Sequence, residues 1–336
     1  MAGNTNGTIR AAVLGYGGAF SMGKYHGEMM NKAGMQTVAA CDLDPARMVT
    51  AELDFPGIRT YTDPEKLYAD PDVDLIVVIL PHNLHAPAAI KAAQNGKHVV
   101  VEKPMCISVA EADAMIEAAK ANNVMLSIFH NRRWDGDFMT IRELIETGMI
   151  GNVFHIEAAM GHMGRPGDWW RSDKKISGGA LFDWGAHIID WTLHYLPKPV
   201  IGVDGFYQKL RWFDHSNEDH TELIMRFEGG ARASVEISSL AAAGKARWRI
   251  LGTKGAIVMN SWDKIEVSVD HDGYIAKFEA PVKKTNQQAY YDNIAGHLTR
   301  GEDLVVTAEG GRRIIAMIEA AEQSSIAGHT VKPAYA

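Results

Sequence analysis

Asp183 and His187 have types and a spacing suited to acid–base chemistry. They stand four positions apart in a segment with helical hydrophobic spacing, so we expect both side chains on one helix face. A carboxylate beside an imidazole orients the ring and favours its protonated form, which suits removal of a proton from a secondary alcohol. Asp190 falls on roughly the same face as a further partner. The alternatives for this set are a surface ion pair and a metal site.

The spacing of the other histidines does not favour a metal site. They are scattered along the chain, without the paired histidines of zinc proteases or a Cys/His quartet. We therefore expect no metal. A nicotinamide cofactor can take the hydride of an alcohol without a metal if a protein base takes the proton.

Lys103 is another residue suited to proton chemistry. It lies at the end of the apolar stretch "KHVVVEKP" (97–104), and Pro104 restricts its backbone to extended conformations. A lysine whose stem is partly buried near other cations can share a proton with an alcohol or polarise a carbonyl. The commoner alternative is a lysine that lies over the sheet edge with its ammonium group in water.

The stretch "GYGGAFSMGKYH" (15–26) resembles a dinucleotide-binding loop with three extra residues. Gly15 and Gly17 fit the first two positions of G-x-G-x-x-G, whereas Phe20 occupies the third and Gly23 comes three positions late. Gly15 would permit the tight turn and Gly17 the approach of a pyrophosphate. Gly23 would provide close helix packing if the loop is longer. The alternative is a glycine-rich turn with no ligand.

Asp42 ends the next predicted strand and could accept hydrogen bonds from the ribose hydroxyls of the cofactor. A carboxylate there would repel a 2′-phosphate, so we expect NAD, with NADP the less favoured cofactor. Asp42 or Asp44 could instead cap the helix that is predicted to begin near Pro45, and one residue could cap while the other binds ribose.

Arginine and tryptophan side chains cluster at residues 132–134 and again at 169–171. Aromatic rings pack on C–H faces while guanidinium groups donate to hydroxyls, so these clusters suit a polyhydroxylated ligand. The alternatives are tryptophans in a core and, for Arg133, an ordinary surface charge.

Predicted strands and helices alternate in the first part of the chain, and they must position these residues. Short connections imply right-handed crossovers and a parallel sheet with helices on both faces, where ligands bind beyond the carboxyl ends of the strands. We predict an α/β Rossmann domain, a doubly wound parallel sheet, over residues 1–130. Its strands are expected at 8–15, 35–42, 73–80, 97–104 and 124–130, and its helices at 23–34, 45–53, 86–96 and 108–123.

The pattern changes to alternating half-buried strands in the second part. We predict an α+β domain over residues 131–336 with a large open, mainly antiparallel sheet and helices on one side. Strands are expected at 153–160, 220–228, 231–237, 246–250 and 264–269, helices at 178–195 and 308–328, and hairpin turns at 228–230 and 272–273.

The composition is that of a globular protein with room for two cores. The chain has 336 residues, of which 46% are hydrophobic and 22% charged, and a net charge of −7 without a basic patch, so we expect no nucleic-acid partner. Two cysteines without metal-like or CxxC spacing indicate reduced thiols. No secretory signal and no membrane-spanning run is visible, so we expect a cytoplasmic location.

Four longer motifs carry further information: "LPHNLHAP" (80–87), "HVVVEKPM" (98–105), "WRSDKKISGGALFDWGAHIID" (170–190) and "HNRRWDGDF" (130–138). With these motifs the chain resembles the glucose-fructose oxidoreductase/inositol dehydrogenase (Gfo/Idh/MocA) family over nearly its whole length. The motif at 130–138 also resembles the scyllo-inositol dehydrogenase-like branch. The sequence departs from the family at Leu80-Pro81-His82, where Thr-Pro-Asn is usual, and at Ser177, where a third glycine is common.

The resemblance implies a substrate between the two domains and catalytic roles for Lys103, Asp183 and His187. It also implies a homo-oligomer, a dimer or tetramer, that pairs through the open face of the sheet. The implied cofactor contacts are Gly15, Gly17, Gly18, Phe20, Met22, Asp42, Pro81, His82, Asn83, His85, Glu102, Lys103, Trp170 and Arg171. The implied substrate contacts are Lys103, Arg132, Trp134, Trp169, Asp183 and His187.

These observations favour an NAD-dependent oxidoreductase that transfers a hydride between a secondary hydroxyl or ketone of a sugar or cyclitol and nicotinamide. One alternative is a redox-assisted glycosidase, which would oxidise a sugar transiently, eliminate the aglycone and regenerate bound NAD. A second alternative is a ligand-sensing protein that keeps the fold without turnover.

Overall fold

A computed structural model describes residues 7–17 and 20–336, which form two compact units. The first unit contains the chain up to Asn131 and the later segment Gln288–Arg312, and the second contains Arg132–Gln287 and Arg313–Ala336. We expected one division after residue 130. The segment Gln288–Arg312 was expected in the second domain, but it packs as part of the first unit.

The first unit contains a six-stranded parallel sheet in the order β3-β2-β1-β4-β5-β6. The order reverses between β1 and β4, and open sheets of this kind bind ligands beyond the carboxyl ends of the strands at that point. The strands are β1 Arg10–Leu14, β2 Gln36–Cys41, β3 Arg59–Tyr61, β4 Leu75–Val78, β5 His98–Val101 and β6 Leu126–Ile128. The helices are α1 Met22–Lys32, α2 Pro45–Asp54, α3 Pro64–Tyr68, α4 His85–Gln94, α5 Val109–Ala121 and α9 Gln288–Arg300. The predicted doubly wound α/β fold is confirmed.

Local sequence accounts for several helix starts in this unit. The side chains of Asp44, Asp63 and Ser108 accept hydrogen bonds from the backbone at the starts of α2, α3 and α5, which satisfies amides that lack a helical partner. Buried strands such as β4 have apolar residues on both faces because helices cover the sheet on both sides.

A polar contact explains why α9 belongs to the first unit. The hydroxyl of Ser127 on β6 lies 2.9 Å from the Tyr290 hydroxyl and donates to the carbonyl of Val306 at 2.8 Å. Tyr290 and its neighbour Tyr291 are fully buried, so the segment after residue 287 completes the core of this unit. No pattern within the first 130 residues signals this return.

The second unit contains an eight-stranded sheet in the order β14-β13-β12-β11-β7-β10-β9-β8. Only β7 and β10 pair in parallel among these strands, so the predicted large, mainly antiparallel sheet is confirmed. The strands are β7 Val153–Gly161, β8 Val200–Gln208, β9 His220–Phe227, β10 Arg232–Ser238, β11 Trp248–Gly252, β12 Gly255–Ser261, β13 Lys264–His271 and β14 Tyr274–Pro281. The helices are α6 Gly136–Glu146, α7 Lys174–Ser177 and α8 Trp184–Tyr195, and α10, Ala308–Ala327, contains the boundary between the units.

Aromatic side chains fill the core between α6, α8 and the sheet. The Trp191 ring on α8 lies 5.7 Å from Phe138 on α6 and 5.9 Å from Trp248 on β11, between ring centroids, and all three are buried. The core therefore fixes α8, whose first turn carries the candidate acid–base residues.

One helix begins later than expected. We predicted a helix over 178–195, but α8 begins only at Trp184, after a short 3₁₀ turn at Ala180–Phe182. Gly178 and Gly179 have φ angles of +87° and +129°, which no right-handed helix contains. Asp183 therefore lies at the start of the helix and not within it.

No helix of the described residues is both long and apolar enough to cross a membrane. Cys41 and Cys106 are both buried, and burial raises the pKa of the Cys41 thiol to about 12.

Candidate active site

The loop after β1 requires glycine at its first position. Gly15 has a φ angle of +90°, and a Cβ atom there would lie 2.0 Å from the carbonyl oxygen of Ile79 at the end of β4. Gly23 begins the packing of α1, because a Cβ atom there would lie 2.5 Å from the Tyr16 carbonyl oxygen. This confirms that the late glycine packs the helix closely in a longer loop. Gly18 lies outside the described residues.

The inserted residues lead into α1. Phe20 is 62% exposed, and Met22 is the first residue of α1, after Ser21 in a left-handed conformation. The described part of the loop, at the point where the strand order reverses, fits the phosphates of a dinucleotide in topology and in its glycine positions.

Asp42 and Asp44 have separate tasks at the end of β2. Asp44 caps α2 by accepting from the amide of Ala46 at 2.9 Å. Asp42 accepts from the amide of Gly17 at 2.9 Å and from that of Asp44 at 3.0 Å, one bond to each oxygen. Each carboxylate oxygen has a further acceptor position, so Asp42 can shape the glycine loop and still accept ribose hydroxyls.

Glu102 links the end of β5 to two other elements. Its Oε1 lies 3.0 Å from Nε2 of His26 on α1, and its Oε2 accepts from the Lys103 amide at 2.9 Å. The other nitrogen of His26 lies 2.6 Å from the Tyr291 hydroxyl on α9. Burial alone would raise the pKa of Glu102, but the hydrogen bond with His26 and the nearby Lys103 lower it. Glu102 therefore holds the backbone from which Lys103 projects, and the cofactor contact that we expected of it stays a prediction.

The segment after β4 contains the histidines that the resemblance assigned to the cofactor. His85 is buried, and its ring nitrogens lie 2.7 Å from the Pro104 carbonyl and 2.8 Å from the Leu80 carbonyl. His82 is also buried, with its ring centroid 5.7 Å from that of His85. His85 thus connects the loop after β4 to Pro104, which follows Lys103 in a cis peptide, and the cofactor contacts expected of His82 and His85 stay predictions.

In the second unit, Arg171 and Asp183 form a paired charge. Arg171 donates to the Asp183 carboxylate at 2.7 Å, and its guanidinium carbon lies 5.2 Å and 4.8 Å from the ring centroids of Trp169 and Trp170. The Asp183 side chain is 42% exposed, so it is accessible to a ligand. Two tryptophans and a carboxylate thus fix Arg171.

His187 lies one turn into α8 and is buried, with its ring centroid 5.8 Å from that of Trp184. Asp190, expected as a further partner of this set, accepts two hydrogen bonds from Arg133, at 2.9 and 2.7 Å. Both side chains of that pair are buried, so Arg133 is not the surface charge that was one alternative. The fork of a guanidinium matches a carboxylate better than an imidazole does, which explains this pairing.

Arg132 and Trp134 precede α6. Arg132 donates to Asp135 at 2.8 Å, and its guanidinium carbon lies 4.6 Å from the centroid of the Trp184 ring. Trp134 is half-buried, and its carbonyl accepts from the amide of Asn286 at 2.9 Å. Arg132 thus lies beside the helix start that carries Asp183.

Sequence reasoning missed the segment 209–219, which supports Arg171. The Asn217 side-chain amide donates to the Arg171 carbonyl at 2.6 Å, and the Asp219 carboxylate accepts from Lys209 and from the amides of Leu210 and Arg211 at 2.6–2.7 Å. Burial alone would raise the pKa of Asp219, but these bonds lower it to about 2. A lone aspartate before a strand gives no sequence signal for this role.

The first unit has the fold and the glycine loop of a dinucleotide-binding Rossmann domain. The second unit carries candidate acid–base residues flanked by tryptophans. Together these features define a class of protein, the two-domain dinucleotide-dependent oxidoreductases. Residues 9–130 match a family described as an oxidoreductase family with an NAD-binding Rossmann fold, and residues 138–258 match the GFO/IDH/MocA C-terminal domain. The chain belongs to the Gfo/Idh/MocA oxidoreductase family.

Individual relatives agree with this assignment. The chain is 29% identical to scyllo-inositol 2-dehydrogenase (NADP(+)) IolW of Bacillus subtilis, with 96% of each chain covered. It is also 29% identical to scyllo-inositol 2-dehydrogenase (NAD(+)) of Bacillus subtilis, over 75% of this chain and 74% of that one. A solved NAD-binding protein from Listeria innocua superposes with a TM-score of 0.86 at 28% identity and covers 97% of each chain.

The Asp219 site predicts a pH-dependent contribution to stability. Because the folded pKa is depressed, the contribution is full above the ordinary aspartate range and is lost as the pH falls from about 4 towards 2. We expect Asp219→Asn to lower the thermal unfolding midpoint most at neutral pH, with the gap to wild type narrowing on acidification.

The matched control is Asp303→Asn at an exposed aspartate, which should leave the midpoint nearly unchanged at every pH. A gap between Asp219→Asn and wild type that stays constant from pH 7 to pH 3 would contradict the role given to the Asp219 charge.

Proposed function

We propose that the protein is an NAD-dependent dehydrogenase that oxidises a secondary hydroxyl of a sugar or cyclitol. The observation that carries the proposal is the start of α8, where Asp183, held by Arg171, directly precedes the helix and His187 lies in its first turn beside the Trp184 ring. Full-length similarity to a scyllo-inositol 2-dehydrogenase supports the class of substrate.

Each catalytic residue has a separate task in this proposal. His187 accepts the proton of the reacting hydroxyl, and Asp183 favours the imidazolium that forms. Lys103, at the end of β5, donates to the same oxygen and polarises the carbonyl in the reverse direction. Bound NAD supplies the acceptor for the hydride.

The proposal also assigns residues to the binding of cofactor and substrate. Gly15 and Gly17 bring the backbone to the pyrophosphate, and Asp42 accepts from the adenosine ribose. Further proposed cofactor contacts are Phe20, Met22, Pro81, His82, Asn83, His85, Glu102, Lys103, Trp170 and Arg171. The proposed substrate contacts are Lys103, Arg132, Trp134, Trp169, Asp183 and His187.

The proposal predicts NADH formation from a free polyol. We expect absorbance at the NADH band when NAD and a panel of inositols and aldoses are supplied, with a rate that rises with pH as His187 loses its proton. Release of an aglycone from glycosides without net NADH would favour the redox-assisted glycosidase instead.

Variants separate the roles in the same assay. His187→Ala and Lys103→Ala should each lower turnover by about 10²–10⁴-fold with little change in NADH affinity. Asp183→Asn should be intermediate, with the pH rise moved to lower values because the charge that favours imidazolium is gone. Near-native turnover of His187→Ala with an unshifted pH profile would make Lys103 the leading base.

Asp42 and Asp44 form a matched pair for testing cofactor choice. Asp42→Ala should weaken NADH binding by roughly ten- to a hundred-fold, as expected for a lost charge-assisted hydrogen bond. The ratio of the affinities for NADH and NADPH should therefore become smaller. Asp44→Ala should cost about 1 kcal/mol of stability through the lost cap and leave that preference unchanged. Titration of protein fluorescence with each nucleotide measures both affinities, and equal affinities in Asp42→Ala and wild type would reject the ribose contact.

We propose a homodimer or homotetramer that pairs through the open face of the second sheet, in the cytoplasm. That face carries apolar side chains such as Ile224 and the half-exposed Phe206 among ion pairs such as Arg226–Asp204. Light scattering should give two or four times the chain mass of 36.8 kDa, whereas a single-chain mass would reject the pairing.

A further inference from the structure

Trp184 and Trp262 form an aromatic pair beside His187 in the second unit. Trp184 is the first residue of α8, and its ring centroid lies 5.8 Å from that of His187 and 6.0 Å from that of Trp262. Trp262 comes from the two-residue turn between β12 and β13. The turn thus brings an aromatic ring to the helix start that carries the acid–base residues.

The Trp262 ring is covered on one face and still largely exposed. The guanidinium carbon of Arg247 lies 3.3 Å from the centroid of the Trp262 ring, which places the planar group against one face. The Trp184 ring meets it at an interplanar angle of 63°. Trp262 is nevertheless 55% exposed, so much of the side chain stays accessible to a ligand beside these two contacts.

Arg247 is itself buried between other side chains. Its side chain is 8% exposed and forms an ion pair at 2.9 Å with Asp137, near the start of α6, and its guanidinium carbon lies 5.3 Å from the centroid of Trp191 in the core. An arginine held in this way can keep a surface tryptophan in one orientation. A ring that is oriented before its ligand arrives loses little conformational freedom on binding.

We propose that Trp262 determines substrate specificity by packing the exposed part of its ring against a C–H face of a cyclic polyol, and that Arg247 is a positioning residue for it. The proposal rests on the proposed function, because it supplies the apolar contact for the ring whose hydroxyl His187 deprotonates. An aromatic face suits cyclohexane-like and pyranose rings, which have apolar C–H faces, better than an open-chain polyol. The residue contributes to binding of the ring and not to proton transfer.

The test compares Trp262→Ala and Trp262→Phe with Tyr274→Ala, which removes an 80% exposed aromatic residue at the start of β14. In Trp262→Ala we expect KM for the best cyclic substrate to rise about ten-fold or more, with kcat changed by less than about three-fold and unchanged NADH affinity. Trp262→Phe should restore part of the loss, and Tyr274→Ala should match wild type. An unchanged KM in Trp262→Ala would overturn the proposal.

Arg247→Lys tests the positioning role, because lysine keeps the charge opposite Asp137 and loses the flat stack. We expect a smaller rise in KM with kcat retained. If Arg247→Lys lowers only the unfolding midpoint and leaves KM unchanged, Arg247 is a structural residue and the positioning role is rejected.

A binding measurement separates this inference from the dehydrogenase proposal. myo-Inositol and glucose are titrated by saturation-transfer NMR against the NADH-saturated wild type and Trp262→Ala, whatever the turnover. Weaker binding to Trp262→Ala without turnover by wild type supports the role of Trp262 and rejects the dehydrogenase. Equal binding to both proteins, or no binding to wild type, overturns the role of Trp262.

Discussion

The buried carboxylate of Glu102 is the constraint on which the first unit depends. A buried carboxylate is costly unless hydrogen bonds satisfy it, and Glu102 meets this need with His26 and the Lys103 amide. His26 in turn meets the Tyr291 hydroxyl. The three partners come from α1, the end of β5 and α9, so satisfying one charge fixes three elements that are distant in sequence. The direction in which Lys103 leaves the sheet follows from this arrangement.

Asp219 has the corresponding position in the second unit. Its carboxylate collects backbone amides and Lys209 and closes the loop 209–219, and that loop holds Arg171 through Asn217. In both units a carboxylate accepts hydrogen bonds from backbone amides, and that backbone holds a cationic residue of the candidate site. The pairs are Glu102 with Lys103 and Asp219 with Arg171. The candidate site residues Lys103 and Arg171 are therefore positioned indirectly, through backbone that Glu102 and Asp219 hold.

Sequence reasoning predicted those features that depend on local pattern. Apolar strands that alternate with helices predicted the parallel sheet, and Gly23 was expected to pack the helix closely. A cap at the start of α2 was expected from Asp42 or Asp44, and Asp44 provides it. Features that depend on partners far along the chain were missed. Helical spacing placed Asp190 with His187, but Arg133 binds it with two hydrogen bonds. Nothing local signals that Tyr291 returns to His26 or that Trp262 reaches α8.

Two buried ion pairs surround the start of α8, and their energetics bear on their role. Arg133–Asp190 and Arg247–Asp137 lie in a region where apolar packing of Trp191 and Phe138 would stabilise the helix without charges. The desolvation of such pairs offsets much of their attraction, so they add little to stability compared with apolar residues of similar size. The planar guanidinium of Arg133 does fix geometry, since it donates two hydrogen bonds to Asp190. Arg247 uses its plane against Trp262. Buried ion pairs at this helix start therefore contribute more to the orientation of side chains than to stability. The acid–base residues and the exposed Trp262 ring depend on that orientation.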